Sequence, residues 1–249
     1  MTEDITGPED IIALGRRYAG GSHLEEHRHE RSQLLYGLTG TAIVTTQSGL
    51  WMMPPDAALW IPAETPHEVT MVGEVNMRSL YLKPALLPQM PRHCVVLEVG
   101  TLLRALLDAL AATTGTEESK RRLMSELVLL EIAGQPIVPL TLPLPPVGPL
   151  RSHCLAFSAA PNVHAKLDDW CAALNMSRRN FTRVFRAGIG LSFVEWRSRA
   201  CVLAAISRLS AGDQVTHIAF DLGYDSSASF AAMFRRATGS VPSRFRQKQ

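Results

Sequence analysis

The sequence predicts a two-domain α+β protein: a small N-terminal β-barrel or double sheet followed by helices, then an all-α half built from a duplicated helix-turn-helix unit. Three observations predict it. Short strand-like runs separated by turn residues fill the first third of the chain. A proline-rich stretch, 136–149, interrupts all helical patterning. Beyond it, one helix–turn–helix pattern occurs twice, about 49 residues apart.

The strand signals fall at 32–36, 41–46, 51–53, 58–61, 68–71 and 77–82, divided by Gly, Pro, Asp and Asn. The next segment is helical. Leu102, Leu103, Leu106, Leu107 and Leu110 form one apolar stripe, and 120–132 repeats the theme with Leu123, Leu127 and Leu130. Two such helices suit either a cover for the barrel or a pairing surface for a second subunit, so a homodimer is one expected partner. The expected boundaries are 1–95 for the strand domain, 96–135 for a helical connection that could dimerise, 136–149 for the linker and 150–249 for the helical domain.

Length and composition suit this division. The chain has 249 residues, 46% hydrophobic and 19% charged, as in a globular protein with room for two cores. Glu3, Asp4, Glu9 and Asp10 give the first ten residues the wrong charge for a secretory leader. The uncharged stretch 134–150 contains six prolines and cannot span a bilayer as a helix. Cys94, Cys154, Cys171 and Cys201 lack CxxC spacing and read as reduced core thiols. A cytoplasmic protein with no membrane partner is the expectation. The net charge of +2 conceals an asymmetry: residues 150–249 carry 14 Lys and Arg against 6 Asp and Glu, and residues 1–149 carry 11 against 17. A basic half joined to an acidic one points to a polyanion partner for the basic half.

The duplicated unit can be read residue by residue. Leu167, Trp170, Cys171 and Leu174 mark the buried face of one short helix, and Val215, Ile218, Ala219 and Leu222 repeat those offsets. Asn175 and Gly223 follow, the residue types that tolerate a left-handed turn. Ser177 and Ser226 offer N-caps. Phe181, Phe185 and Gly190 are matched by Phe230, Phe234 and Gly239, and each glycine precedes an aromatic–arginine pair, Trp196-Arg197 and Phe245-Arg246. On the first candidate recognition helix, Phe181, Val184 and Phe185 turn inward. Arg179, Thr182, Arg183 and Arg186 share the outer face, where guanidinium groups can hold phosphate or fork onto guanine.

Residues 164–246 resemble the DNA-binding domain of the AraC family of regulators. Gly223-Tyr224-Asp225-Ser226, Phe230, Phe234-Arg235-Arg236, Gly239, Pro242 and Phe245-Arg246 carry the resemblance. It implies a long helix, 193–209, that sets two recognition helices in successive major grooves of double-stranded DNA. It also implies base reading by Arg179, Thr182 and Arg183 in the first module, and by Ser227, Ala228, Ser229 and Ala232 in the second. Alanine cannot donate a hydrogen bond, so the first module is expected to carry most direct readout. Arg178 and Arg186 complete the first DNA-contacting set. Ser226, Ser227, Ser229, Arg235 and Arg236 form the second, chiefly on phosphates.

In the N-terminal half, His27 and His29 are spaced to share one strand face. Gln33 follows, and His67 ends a later strand signal opened by Pro62. Three imidazoles suit a divalent metal, Zn²⁺ or Ni²⁺, with Gln33 as a candidate fourth ligand. They equally suit polar contacts to a metal-free effector. The spacing resembles the cupin motifs, and 20–85 resembles the cupin-type sensor domain of one branch of AraC-family regulators. Gln33 stands where cupins usually carry Glu, and Glu64 where they carry Gly. Gln33, Tyr36, Trp51 and Trp60 are the candidate effector-pocket residues, with Met52 and Met53 beside them. The other histidines lack such company.

These readings point to a sequence-specific transcription regulator, not an enzyme, controlled by a small molecule or metal in the barrel. The alternatives are a cupin metalloenzyme of dioxygenase type fused to DNA-binding helices, and a constitutive architectural DNA binder.

Overall fold

A computed structural model describes Gly7, residues 9–112 and residues 118–245. Glu3, Asp4 and Arg246 lie outside the described residues. Two compact units divide the chain: 1–44 with 53–139, and 45–52 with 140–249.

Seven strands precede the first helix: β1 (Ile11–Tyr18), β2 (His23–His27), β3 (Ser32–Thr46), β4 (Gly49–Met53), β5 (Ala57–Ile61), β6 (His67–Leu82) and β7 (Val95–Glu98). Helices α1 (Thr101–Ala112) and α2 (Glu118–Gly134) follow, then β8 (Ile137–Val138) and β9 (Thr141–Pro143). The sheet runs β1-β6-β3-β5-β7-β8, with β2 also on β6.

Two pairs of expected strands each merge into one long strand. Gly40 (φ 76°) and Gly73 (φ 74°) read as turns but lie within β3 and β6. At Gly40 a side chain would stand 2.3 Å from the Glu74 carbonyl, so the glycine permits close backbone approach rather than a chain reversal. β1, β2 and β7 went unread, because Ile-Ile-Ala-Leu-Gly-Arg-Arg-Tyr and His-Leu-Glu-Glu-His lack an apolar alternation. β7 lies almost wholly inside the span expected to be a helical connection.

Strand alternation decides what each sheet face does. Leu34 pairs with Trp60 and Tyr36 with Ala58 across β3 and β5, so these four share a face. They join Leu80, Leu82, Val95 and Leu97 in one core with Leu103, Leu106, Leu107 and Leu110 of α1 and Val128 and Ile132 of α2. The interleaved residues Gln33, Leu35, Leu59, Ile61, Ser79 and Tyr81 fall on the other face and are also buried.

Both helical stripes need correction. Leu102 is exposed, and only the other four α1 leucines reach the core. In α2, Val128 and Ile132 pack inward with Met124 beside them, a cleaner i, i+4, i+8 row than the one expected. Leu123, Leu127 and Leu130 are left 66%, 39% and 72% exposed.

The proline-rich segment is extended and ordered rather than a free linker. β8 pairs with β7, and β9 pairs with β4 through Gly49–Pro143, Leu50–Leu142 and Trp51–Thr141. Proline suits such short strands because each gives up only one donor. The β3–β4 turn thus belongs to the C-terminal unit. There the Arg151 guanidinium donates to the carbonyls of Thr46, Gln47 and Pro145 at 2.8, 2.6 and 3.1 Å.

The remainder of that unit is helical: α3 (Pro149–Ala159), α4 (Leu167–Ala173), α5 (Arg178–Ile189), α6 (Phe193–Ser210), α7 (Val215–Asp221) and α8 (Ser227–Thr238). The two expected turns are present. Asn175 has φ 51° and Gly223 φ 90°. Ser177 caps α5 and Ser226 caps α8, each accepting from the backbone N–H three residues on. Trp170 packs edge-on against Phe181, Phe185, Phe193 and Trp196, forming the core of the first module. Phe230, Phe234, Ile218 and Leu222 are buried in the second. Among the described residues no helix is long and apolar enough to cross a membrane.

Candidate nucleic-acid interface and histidine cluster

Helix α5 buries Phe181, Phe185 and Ile189, so its polar residues are left on the opposite side. Arg178, Arg179, Thr182, Arg183, Arg186 and Ala187 line one shallow concavity there. The arginines do not all stand alike. One edge of the Arg178 guanidinium, Nε and Nη2, is engaged by the two carboxylate oxygens of Asp168, at the start of α4. The arginine holds the Asp168 carboxyl below its usual range. Arg178 therefore straps α4 to α5, a role that its expected place in the DNA-contacting set did not include. Arg183 Nη2 donates to Asn180 Oδ1 at 2.9 Å. Among the described residues Arg179 has no side-chain hydrogen bond or ion pair.

Helix α8 is chemically poorer. Ser226 and Ser229 spend their hydroxyls on the helix start: Ser229 N–H donates to Ser226 Oγ at 3.1 Å, and Ser229 Oγ to the Ser226 carbonyl at 2.8 Å. Ser227 is half-buried, Ala228 and Ala232 are exposed, and Arg235 and Arg236 stand exposed in the last turn. That distribution suits phosphate contacts better than base reading.

In the N-terminal unit the three histidines meet. His27 ends β2 and stands opposite His67, the first residue of β6, after a register shift in the ladder. His29 lies in the loop beyond β2, not on the same strand as expected, yet turns toward the same point. Ring centroids are 4.3 Å apart for His27 and His67, 5.3 Å for His29 and His67, and 6.3 Å for His27 and His29. Each imidazole donates its Nδ1 proton to a backbone carbonyl two residues away: His27 to Glu25 at 2.8 Å, His29 to Arg31 at 2.5 Å, His67 to Thr65 at 2.8 Å. A neutral imidazole so anchored keeps a lone pair on Nε2. His67 Nε2 is buried with no hydrogen-bond partner. Burial pushes His67 down to about 4, opposed by the Thr65 carbonyl and aided by the charges of His27 and His29.

Gln33 lies beside this cluster. Its amide oxygen is 3.2 Å from His29 Nε2, and its nitrogen is 3.2 Å from Ser79 Oγ and 3.0 Å from the Tyr81 hydroxyl. Because His29 already donates through Nδ1, an approaching lone pair at Nε2 favours the amide turned with its NH₂ toward the ring. Ser79 and Tyr81 were missed. Their strand was read, but not that its odd positions share the face of Gln33. Tyr36 and Trp60 are placed on the opposite face, in the core under α1 and α2, where Trp60 Nε1 donates to the Pro91 carbonyl at 3.1 Å. Trp51 sits on β4, in the C-terminal unit. The expected pocket set is therefore divided, and only Gln33 accompanies the histidines.

As placed, no three His, Cys, Asp or Glu among the described residues form a ready-made metal site. The donor chemistry nonetheless fits one. Three imidazoles bound tetrahedrally at about 2.0–2.1 Å would keep their centroids roughly 5 Å apart, and the observed spacings bracket that value. Backbone carbonyls on the remote nitrogen are the usual second-sphere support of metal-binding histidine.

Residues 10–132 match the family model described as an AraC-like ligand binding domain, and 170–248 match a helix-turn-helix domain. The HTH-type transcriptional regulator NimR of Escherichia coli (strain K12) is 32% identical over 221 residues, covering 88% of this chain and 81% of that protein. ToxT of Vibrio cholerae aligns over 95% of this chain and 98% of its own at 10% identity and a TM-score of 0.40. A cupin superfamily protein of Desulfitobacterium hafniense aligns over 29% of this chain and 76% of its own, at 19% identity and a TM-score of 0.27. Likeness at those two scores decides nothing about the site.

A pH dependence follows from His67. Unfolded histidine takes up its proton near pH 6.5, folded His67 only near 4, so the unfolded chain binds more protons between those values. In the metal-free protein the His67 contribution is fully present above about pH 6.5. It declines as pH falls toward 4, by on the order of 2–3 kcal/mol. Urea denaturation of the chelated protein at pH 7 and pH 4.5 checks this. A His67→Asn variant with an equally steep loss would contradict it.

Proposed function

Because the chain belongs to the AraC family of transcription regulators, we propose that it is a one-component switch in which a ligand at the histidine cluster sets how the helix-turn-helix half binds its operator. The single observation that supports this site most is His67 Nε2, a buried acceptor with no partner, beside two further imidazoles anchored in the same way. A buried polar atom is costly to leave unpaired unless something binds it.

The leading ligand is a divalent ion, Zn²⁺ or Ni²⁺, held by His27, His29 and His67. Bound there, it would act as a Lewis acid that gathers the end of β2, the following loop and β6. Gln33, turned by Ser79 and Tyr81, orients His29 or serves as a fourth ligand. A metal-free organic effector would use the same lone pairs as hydrogen-bond acceptors. Either ligand shifts the switch only by its difference in affinity for the two states.

On the DNA side, Arg179, Thr182 and Arg183 read bases in the first module. Arg186, Arg235, Arg236 and the N-terminus of α8 grip phosphates. Family membership makes this a regulator, and the metalloenzyme alternative recedes with it. The exposed row Leu123, Leu127 and Leu130 favours a homodimer through α2.

Elemental analysis of purified protein before and after chelation, with His27→Ala alongside, tests the metal. About one Zn²⁺ or Ni²⁺ per chain, lost in the variant, is expected. Wild type that takes up neither ion retires the metal and directs the search to organic effectors. Sedimentation equilibrium tests the dimer: wild type is expected to dimerise and Leu127→Glu/Leu130→Glu to be monomeric. A wild type that stays monomeric at every loading concentration contradicts it.

A further inference from the structure

Two arginines of α5 are held by partners within the first module, and the partners differ in kind. Arg178 is neutralised by Asp168 across two helices. Arg183 is held by Asn180, one turn earlier, through a hydrogen bond that leaves its charge intact. A guanidinium paired with a carboxylate gives up one donor edge and part of its net charge. One that is merely steered keeps its full charge and its remaining donors.

Asn180 is itself well placed to steer. It is the third residue of α5, and its backbone N–H donates to the Ser177 cap at 3.3 Å. The cap fixes the backbone there, the residue is only half exposed, and the side-chain amide is left to reach forward. A glutamate at this position would complete a capping box but would also pair with Arg183. Guanine offers N7 and O6 in the major groove and is read by a guanidinium presented edge-on. That presentation normally requires freezing a long, flexible side chain.

We infer that Asn180 is a positioning residue for base recognition, holding the Arg183 guanidinium in one orientation so that the first module discriminates guanine from the other bases. The inference rests on the reading of Arg183 as a base-contacting residue.

The internal repeat supplies a control within the same chain. At the equivalent positions of the second module, Asn180 and Arg183 become Ser229 and Ala232, and Asp168 and Arg178 become Thr216 and Ser227. Ser229 turns its hydroxyl back to the Ser226 carbonyl. Neither the strap nor the steering pair exists there, so orientation-dependent readout is confined to the first module.

The experiment uses the full chain and a duplex selected by wild type from a randomised pool. Binding is compared between that duplex and variants altered one base pair at a time, for wild type, Arg183→Ala, Asn180→Ala and Asn180→Asp. Arg183→Ala is expected to flatten preference at one or two base pairs. Asn180→Ala is expected to reduce discrimination at those same pairs by about two- to tenfold, the range for losing one ordered side chain. The salt dependence of its binding to random-sequence duplex should not change, which also shows that it is folded. Asn180→Asp would pair the Arg183 guanidinium with a carboxylate, as Asp168 pairs with Arg178, and is expected to lose the discrimination and to weaken all duplexes. If Asn180→Ala leaves discrimination untouched, or weakens every duplex alike, while Arg183→Ala flattens it, the inference fails and the base-reading role stands. If Arg183→Ala weakens every duplex alike, both fail.

Discussion

The period-two alternation of β3 and β6 constrains almost everything in the N-terminal unit. Once α1 covers one sheet face, Leu34, Tyr36, Leu80 and Leu82 must lie beneath it, and every intervening residue is forced to the other side. Gln33, Ser79 and Tyr81 are thereby buried on the face opposite α1. Their polar atoms must find one another or a ligand. They find one another in part, through the Gln33 amide, and His29 joins them. A one-residue slip of β3 would bury Gln33 among leucines and break the set. The polar site is a consequence of the hydrophobic packing on the opposite face.

The histidine cluster adds a second constraint. Three imidazoles at this spacing cannot all be charged, and His67, the most buried, is held neutral far below its usual range. Carbonyls of Glu25, Arg31 and Thr65 take the Nδ1 protons. The outcome is three Nε2 lone pairs, that of His67 buried without a partner and that of His29 facing the Gln33 amide, with no carboxylate in the set. Such a site favours a borderline-soft cation over magnesium or calcium.

In the C-terminal unit the same backbone motif is built twice but equipped once. Caps, turns and phenylalanine pairs repeat faithfully, since they specify folding. The polar surface does not: α5 carries arginines along its outer face, whereas α8 carries serines and alanines there and arginines only in its last turn. The fold signals are present in both copies, whereas the exposed guanidinium groups at the start and middle of the second helix are present in one.

Much of this was readable beforehand. The duplicated module was legible because Asn175, Gly223, Ser177, Ser226 and the phenylalanine pairs each report a local backbone requirement. The histidines were found by spacing. What escaped were features set by tertiary partners. Glycines 40 and 73 looked like turns because sequence does not distinguish a reversal from a close approach. Leu123, Leu127 and Leu130 looked like core because the competing row through Val128 and Ile132 wins only against the actual sheet. Tyr36 and Trp60 fall outside the pocket because their strand parity is opposite to that of Gln33 and places them in the core under α1. The Arg178–Asp168 strap needed the geometry of α4 against α5. The central claim is that the fold presets three histidines, anchored through Nδ1, to offer Nε2, and ¹⁵N NMR of the imidazole rings tests it most directly. The account predicts that His27, His29 and His67 all carry their proton on Nδ1 at pH 7 and that one equivalent of Zn²⁺ shifts the three Nε2 signals together. Protons found on Nε2, or Nε2 signals unmoved by the ion, would contradict it.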